Sequence, residues 1–520
     1  MTRDEEDAAA RSPVERERAV PHRLLVGRLA HGWRSTSPDV ARDLVSRWCH
    51  RLCCTAEIRE IGDGWLTFVC DLGSIKLLGM EAVRCIIIGG CEPAIKERLE
   101  EFWRVNSSEG TPVVVAASDE GIELAASSMP KGRVLLIGPT AVIDLLETEN
   151  PQEYLKRELR QQVSPRLLVP FNVERPAEGG MFFGRGKYLD RLTYDTSSIA
   201  LAGPGQLGKT SLLRRYRRRL VETKDPAAQA TFYIDLYRIK DRDPDGVAQF
   251  IAVSIDGSNR GRNVNSERVE QFFQYWRGHF QRPVNLLLDE VDGVLGLGVI
   301  DNIEMAARKG FCRLVLAGRS ELLFSMLDDS RAFARRTTLM RLEPLEDLEA
   351  EDLFLRPFGD LGLQFHDKHA VLKLMKDLTG NLPHLVQFYG RTVANILLDG
   401  GKTTLDTRAL ETARDTFETA GFFLSFINNI EDQRTRQVAL SILGVPSQPL
   451  TVGQIRSLVC HHGLNLSPAE TWRICNDLVI RNILSWRAGV FQVANGSLLH
   501  HARCGGLIPG FRRFAIKKAG

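Results

Sequence analysis

The chain has 520 residues, too many for one hydrophobic core, so three or four domains are expected. Hydrophobic residues make up 43% and charged residues 26%, an ordinary composition for a soluble globular protein, and a net charge of +3 is too small to argue by itself for a nucleic-acid partner. No apolar run reaches the ~20 residues of a membrane helix, ten cysteines over this length do not resemble a disulfide scaffold, and a cytoplasmic protein without a membrane partner is expected.

Residues 1–20 are charged throughout with no apolar centre and read as a disordered leader. Residues 21–165 alternate strand-sized apolar runs ("AEIREI", "WLTFVC", "VRCIIIGG", "TPVVVAAS", "RVLLIGP") with amphipathic helical segments. This pattern implies an N-terminal α/β domain with a partly parallel sheet, whose role the residues do not reveal. Its first two runs turn on "GDG", a hairpin signal. The cluster "CHRLCC" (Cys49, His50, Cys53, Cys54) lacks a second spaced ligand pair and its flanks read as helix, so a metal is not expected there.

Prolines and glycines mark residues 166–180 as a linker. From 181 to 345, strands are expected at "SIALAG", "ATFYIDL", "NLLLDE" and "CRLVLAG", with helices between them, a three-layer α/β core. After 345 the strand signals stop: 346–400 read as a small helical lid and 401–430 as a connecting helix. Residues 431–505 read as three helices followed by a hairpin, the element order of a winged helix. Thr451 and Ser467 stand at N-cap positions, and Ser467 with Glu470 matches a capping box. Residues 506–520 form a basic tail in which Arg512, Arg513, Lys517 and Lys518 interleave with Phe511 and Phe514.

The stretch Gly203, Pro204, Gly205, Gln206, Leu207, Gly208, Lys209, Thr210 matches G-x-x-x-x-G-K-[ST] in full, after an apolar strand and at the start of a helix. Such a loop wraps backbone N–H groups around phosphate oxygens, and the helix N-terminus that begins here, with Ser211 in its first turn, adds positive potential. Lys209 is expected to reach the outer phosphates and Thr210 to help hold Mg²⁺. Downstream, "VNLLLDEVD" delivers Asp289 and Glu290 at the end of a buried strand. Asp289 suits the Mg²⁺ contact, and Glu290 suits polarising an attacking water. These residues predict binding of a nucleotide and slow hydrolysis of its β–γ bond; which base it carries they do not say.

The helix after the loop carries Arg214, Arg215, Arg217, Arg218 and Arg219. Leu213, Tyr216 and Leu220 recur at i, i+3 and i+7 and should face the sheet, which leaves the arginines on a solvated face. Five like charges there also leave room for an acidic partner or nucleic acid.

The segment order resembles an AAA+-related P-loop ATPase of the STAND class, close to the archaeal-type and origin-initiator-like ATPases, over roughly residues 180–500. "MFFGRGKYLDRL" looks like the family's glycine–arginine box that helps enclose the base, with Phe183, Gly184 and Arg185 in register and Gly186-Lys187 where the family carries an acid. "CRLVLAGRSEL" is similar to the strand whose polar end, here Arg319 or Ser320, approaches the γ-phosphate. "LTGNLPHLVQ" resembles the lid segment whose proline, here Pro383, abuts base and ribose; Gly380 and Gln387 fall in register with the same segment. "RAFARRTTLMRLEPL" looks like the segment before the lid, where Arg335 or Arg336 would contact the γ-phosphate in cis or from a neighbour.

The resemblance implies ATP or ADP as the ligand and a nucleotide-controlled switch of signalling or defence type: closed with ADP, open and self-associating with ATP. Its alternative is an initiator-like ATPase that binds DNA through the winged helix and basic tail. A third reading is a module that holds nucleotide without turning it over. The N-terminal domain vaguely resembles Mrr-type nuclease folds, but "VRCIIIGG" offers neither the acid nor the lysine such enzymes need, so no cleavage is expected.

Overall fold

The structure, a computed structural model, describes residues 22, 26, 39–62, 65–71, 82–89, 93–106, 111–177, 179–239, 242–327, 333–416, 419, 421, 427, 430, 432–445 and 448–504. The expected leader (1–20) and basic tail (506–520) lie outside them.

The N-terminal domain is built on the five-stranded sheet β1 (Thr55–Gly62), β2 (Trp65–Asp71), β3 (Ala82–Ile88), β4 (Val113–Ala116) and β5 (Leu135–Ile137), in that order across the sheet. The first three strands pair antiparallel and the last three parallel. The apolar run 85–88 of β3 and the whole of β4 are covered on both faces, as their sequences require. Helices Pro93–Asn106 and Asp119–Ser128 pack on Ile86, Ile88, Val114 and Ala116. Helices Asp39–Leu52, Pro139–Glu147 and Pro151–Gln162 pack on the opposite face against Phe68, Cys70, Ile87 and Val115.

The central sheet is parallel throughout: β6 (Ile199–Ala202), β7 (Thr231–Asp235), β8 (Val284–Asp289), β9 (Cys312–Gly318) and β10 (Thr338–Arg341), ordered β10-β6-β9-β8-β7. The edge strand β10 lies inside "RAFARRTTLMRLEPL" and was not expected from the sequence, because four residues flanked by arginines carry little periodicity. Every side chain of β8 is buried, which is why "VNLLLD" shows no polar alternation. Leu213, Tyr216 and Leu220 of helix Lys209–Glu222 are buried against one face of this sheet. Helices Pro244–Ile255, Val269–Phe280 and Val299–Arg308 cover the other face.

Helices Asp347–Asp360, Lys368–Thr379, Pro383–Asp399 and Thr407–Arg414 follow. Strand pairing does not stop at 345, as expected, since β11 (Gln364–Phe365) and β12 (Thr404–Leu405) form a short parallel pair that closes this helical unit. The connecting helix expected over 401–430 begins only at Thr407 and reaches Arg414; most of its remainder lies outside the described residues.

Helices Gln433–Leu443, Val452–His461 and Pro468–Ile480 precede the hairpin β13 (Leu484–Arg487) and β14 (Val490–Val493). Thr451 with Gln454 and Ser467 with Glu470 both form capping boxes. A further helix, Gly496–Cys504, was not anticipated. One continuous apolar core runs from β6 through the helical unit to Ala502, so the C-terminal unit is packed onto the chain before it and is not a tethered bead.

The N-terminal domain is docked as well. Lys156 Nζ donates to Asp360 Oδ1 at 2.7 Å and to Glu153 Oε1 at 3.0 Å, and Arg160 Nε donates to the Asp360 carbonyl at 2.7 Å. On its other side Arg218 of the phosphate-loop helix reaches Asp71 at 2.6 Å.

Candidate nucleotide site

The parallel arrangement sends β6, β8 and β9 toward one edge of the sheet, and each ends in a chemically equipped segment. Beyond β6 the loop 203–208 turns into helix Lys209–Glu222. Gly208 has φ +86° and Gln206 has φ +67°, left-handed conformations that glycine adopts freely and that a glutamine holds only under constraint. Lys209 is buried, and its Nζ donates to the carbonyls of Gly203 and Pro204, both at 2.8 Å. Those two residues therefore hold the ammonium from behind. Burial pulls the Lys209 pKa down to about 8, against the opposing field of Glu290.

Asp289 ends β8 and is 1% exposed. Its Oδ2 accepts from Thr210 Oγ1 at 2.7 Å and from Tyr233 OH at 2.9 Å, and its Oδ1 accepts the Glu290 N–H at 3.0 Å. The tyrosine, on β7, was not foreseen; burial and the neighbouring carboxylate raise its pKa. Thr210 and Asp289 thus present adjacent hydroxyl and carboxylate oxygens, the hard donor set that magnesium takes. Glu290 follows in a left-handed conformation, φ +54°. Its Oε1 meets Arg319 Nη2 at 3.2 Å, with Arg319 standing just beyond β9. The backbone N–H of Arg319 is itself held by Asp292 at 2.7 Å.

At the end of β9, Arg319 lines the cleft. Ser320 opens the next helix, and its side chain lies outside the described residues. Arg335 and Arg336 sit exposed on the turn before β10 and do not line the cleft.

The cleft itself has a volume of about 370 Å³. One end is formed by Gly205, Gln206, Leu207, Gly208, Lys209, Thr210 and Ser211 with Glu290 and Arg319; the other is an apolar slot of Phe183, Leu345, Leu353 and Pro383. Pro383 stands at the first turn of helix Pro383–Asp399, where its missing N–H costs nothing. His384 beside it also lines the slot, and burial pushes its pKa down to about 4.

Gly184 stands behind this wall, while Arg185 is part of it. Gly184 has φ +67°, and a Cβ there would stand 2.3 Å from the Glu349 carboxyl carbon. That close approach lets Glu349 Oε1 accept the Arg185 N–H at 2.8 Å. The buried Arg185 guanidinium then spans from the Glu343 carbonyl (2.6 Å) to the Leu207 carbonyl of the phosphate loop (3.2 Å). Lys187, where the resemblance leads one to look for an acid, pairs with Glu346 at 2.7 Å.

Two contributions were invisible in the sequence. Residues 172–177, read as linker, form a wall of the cleft, fastened where the Asn172 N–H donates to Gln387 Oε1 at 3.2 Å. From the C-terminal unit, Asn482 Nδ2 donates to the Gly205 carbonyl at 3.2 Å, 277 residues away along the chain.

The arginine face resolves into pairs: Arg215 with Glu222 (2.9 Å), Arg219 with Asp190 (2.9 Å), Arg218 with Asp71, and Arg214 over the Tyr233 ring at 5.3 Å. Two histidines of the C-terminal unit are also engaged locally, His462 with Ser441 at 2.7 Å and His500 with Asp415 at 3.0 Å.

Residues 192–326 match the sequence family described as "AAA domain". No curated protein shows significant similarity to the chain. Among solved structures, the chain is similar to the Walker-type ATPase PABY2304 of Pyrococcus abyssi, at 14% identity over 62% of this chain and 96% of that one, with a TM-score of 0.48. It is also similar to the ORC2 protein of Aeropyrum pernix in ADPNP–ADP complexes (12% identity, 63% and 92% covered, TM-score 0.41). The ORC1 protein of the same organism in complex with DNA gives 16% identity, 64% and 94% covered, and a TM-score of 0.36. These superpositions are loose, and the candidate site rests on its own loop and strand ends.

Proposed function

We propose that the chain is a magnesium-dependent P-loop ATPase of AAA+ type whose bound nucleotide sets the position of the C-terminal unit, a molecular switch. In this reading the loop amides and Lys209 bind the triphosphate, and Thr210 and Asp289 would hold Mg²⁺, which screens the phosphate charge. Glu290 would polarise the attacking water. Its carboxylate is tied to Arg319 in the present conformation, so it becomes available once the guanidinium turns to a phosphate oxygen. Phe183, Leu345 and Pro383 would enclose the base.

The observation that carries the switch is the hydrogen bond from Asn482 to the Gly205 carbonyl. Whatever rearranges the phosphate loop acts directly on the C-terminal unit, giving two states with different affinity for the ligand, as a switch requires. The test is light scattering after size exclusion with ADP, with ATP, and with ATP on the Glu290→Gln chain. A switch changes assembly between ADP and ATP and is trapped by Glu290→Gln; a mass that ignores nucleotide removes the reading.

A second reading, DNA association through a winged helix, is favoured by one feature. Trp472 (42% exposed) on the third helix and Trp486 (47% exposed) on the hairpin stand together beside the exposed Arg473 and Arg487. The cleft facing Trp486 and Arg487 also holds Glu343, Glu346, Asp347 and Asp377. A phosphate backbone would meet those acids, so DNA binding requires the C-terminal unit to swing away first. Salt-sensitive DNA binding that appears only with ATP would support this reading.

A further inference from the structure

The N-terminal domain gathers sulfur in a way that the nucleotide cleft does not use. Cys49 lies in the last turn of helix Asp39–Leu52, Cys54 immediately before β1, Cys70 near the end of β2, and Cys85 in β3. The register pairs Ala56 with Cys70, Cys70 with Val83, and Phe68 with Cys85. Cys70 and Cys85 are therefore diagonal neighbours on one face of the sheet, the face under that helix. The sulfur atoms of Cys49, Cys54 and Cys70 all lie within 4.8 Å of one another. Cys85 stands beside Cys70 on the same sheet face, outside that group of three, with its thiol donating to the Val83 carbonyl at 3.8 Å. Cys70 and Cys85 are each 1% exposed, and Cys49 and Cys54 are half-buried at the rim.

A buried cysteine by itself behaves as a small hydrophobe, and Cys312 and Cys475 are of that kind, each in a separate apolar setting. Convergence from a helix end, a loop and two strands is a different matter. Thiols donate hydrogen bonds weakly, so four of them together add little that apolar side chains would not supply better. A tetrahedral zinc ion with Zn–S bonds of about 2.3 Å places its sulfurs about 3.8 Å apart, which Cys49, Cys54 and Cys70 reach by a small contraction and Cys85 by a turn of its side chain toward them. We propose that Cys49, Cys54 and Cys70, completed by Cys85, form a structural thiolate site for a soft divalent cation, zinc. Each ligating thiol releases its proton to solvent as its S–Zn bond forms, and no oxidant is involved. The ion fastens helix Asp39–Leu52 to the β1–β2 hairpin. "CHRLCC" offers only two of these ligands and the others are carried by strands, so the spacing in the sequence conceals the site.

The experiment uses the full chain, purified with a thiol reductant and without chelator, and measures metal by elemental analysis. After metal removal it is titrated with Co²⁺, folding being followed by circular dichroism. About one zinc per chain is expected, with Co²⁺ giving the absorption of tetrahedral thiolate coordination. Cys49→Ser and Cys54→Ser, at the half-buried rim, each lose the metal and the cobalt spectrum, whereas the exposed Cys460→Ser and the loop variant Lys209→Ala keep both. A folded chain with neither metal nor cobalt spectrum overturns the proposal. So does a disulfide among these four found by mass spectrometry of the alkylated, unreduced chain, or iron accompanied by labile sulfide.

Discussion

The central and N-terminal domains share a five-stranded sheet sandwiched between helices, yet only one presents chemistry at its strand ends. In the central sheet every strand runs the same way, so the loop after β6, Asp289 at the end of β8 and Arg319 after β9 converge on one edge. In the N-terminal sheet only β3, β4 and β5 are parallel. They end at Ile88-Gly89, Ala116-Ala117 and Ile137-Gly138, none of which is titratable. Layer architecture therefore says where a site would lie, and the residues at that edge decide whether one exists. The chemistry that the N-terminal domain does carry, its sulfur cluster, is under the sheet face and not at its edge.

The sharpest way to test this contrast is to disable one edge and leave the other alone. Glu290→Gln should lower phosphate release by about 10²–10⁴-fold, the usual worth of a positioned general base, while calorimetry still detects ATP. Turnover at the parent rate would make the β8 end as inert as those of β3 to β5. Lys209→Ala should weaken ATP binding about 10- to 100-fold, from the loss of charge-assisted hydrogen bonds to phosphate.

The same lysine gives a pH signature. Its free-state pKa is depressed to about 8, and bound phosphate favours the ammonium, so binding raises that pKa. Affinity gained from the charged form is therefore fully present below about pH 8 and is lost as pH rises above it. A titration of Kd from pH 7 to pH 10 checks this, and a flat profile would mean the ammonium does not touch phosphate. Asn482→Ala should speed ADP release about fivefold, as expected for one net hydrogen bond of about 1 kcal/mol, measured with a fluorescent ADP analogue in stopped flow. The smallest effect belongs to Arg218→Ala, which breaks the partly exposed pair with Asp71. Thermal melts should stay within about 1 kcal/mol of the parent.

The phosphate loop was legible because its chemistry is contiguous: eight residues, one strand before and one helix after. Asp289 and Glu290 were legible because a fully buried strand must end somewhere, and acids at that end stand out. Tyr233, Asn172, His384 and Asn482 were not, since Asn172 and His384 line the cleft, and Tyr233 and Asn482 bond to Asp289 and the Gly205 carbonyl, only through packing between segments far apart in the chain. The sulfur cluster shows the same limit, because its ligand spacing exists only in the strand register. Strand β10 was missed for lack of length, and the helix Gly496–Cys504 for its weak amphipathic signal after a hairpin that looked terminal.

Asp360 and Asp71 have a consequence for motion. Through Lys156 the N-terminal domain holds the last turn of helix Asp347–Asp360, and through Asp71 it holds the helix that follows the phosphate loop. It straddles the two parts between which a nucleotide would sit. If those parts hinge, the domain must either ride with one and release the other or resist the opening altogether. Its surface is thus a handle from which an outside force or ligand can bias the hinge without ever entering the pocket.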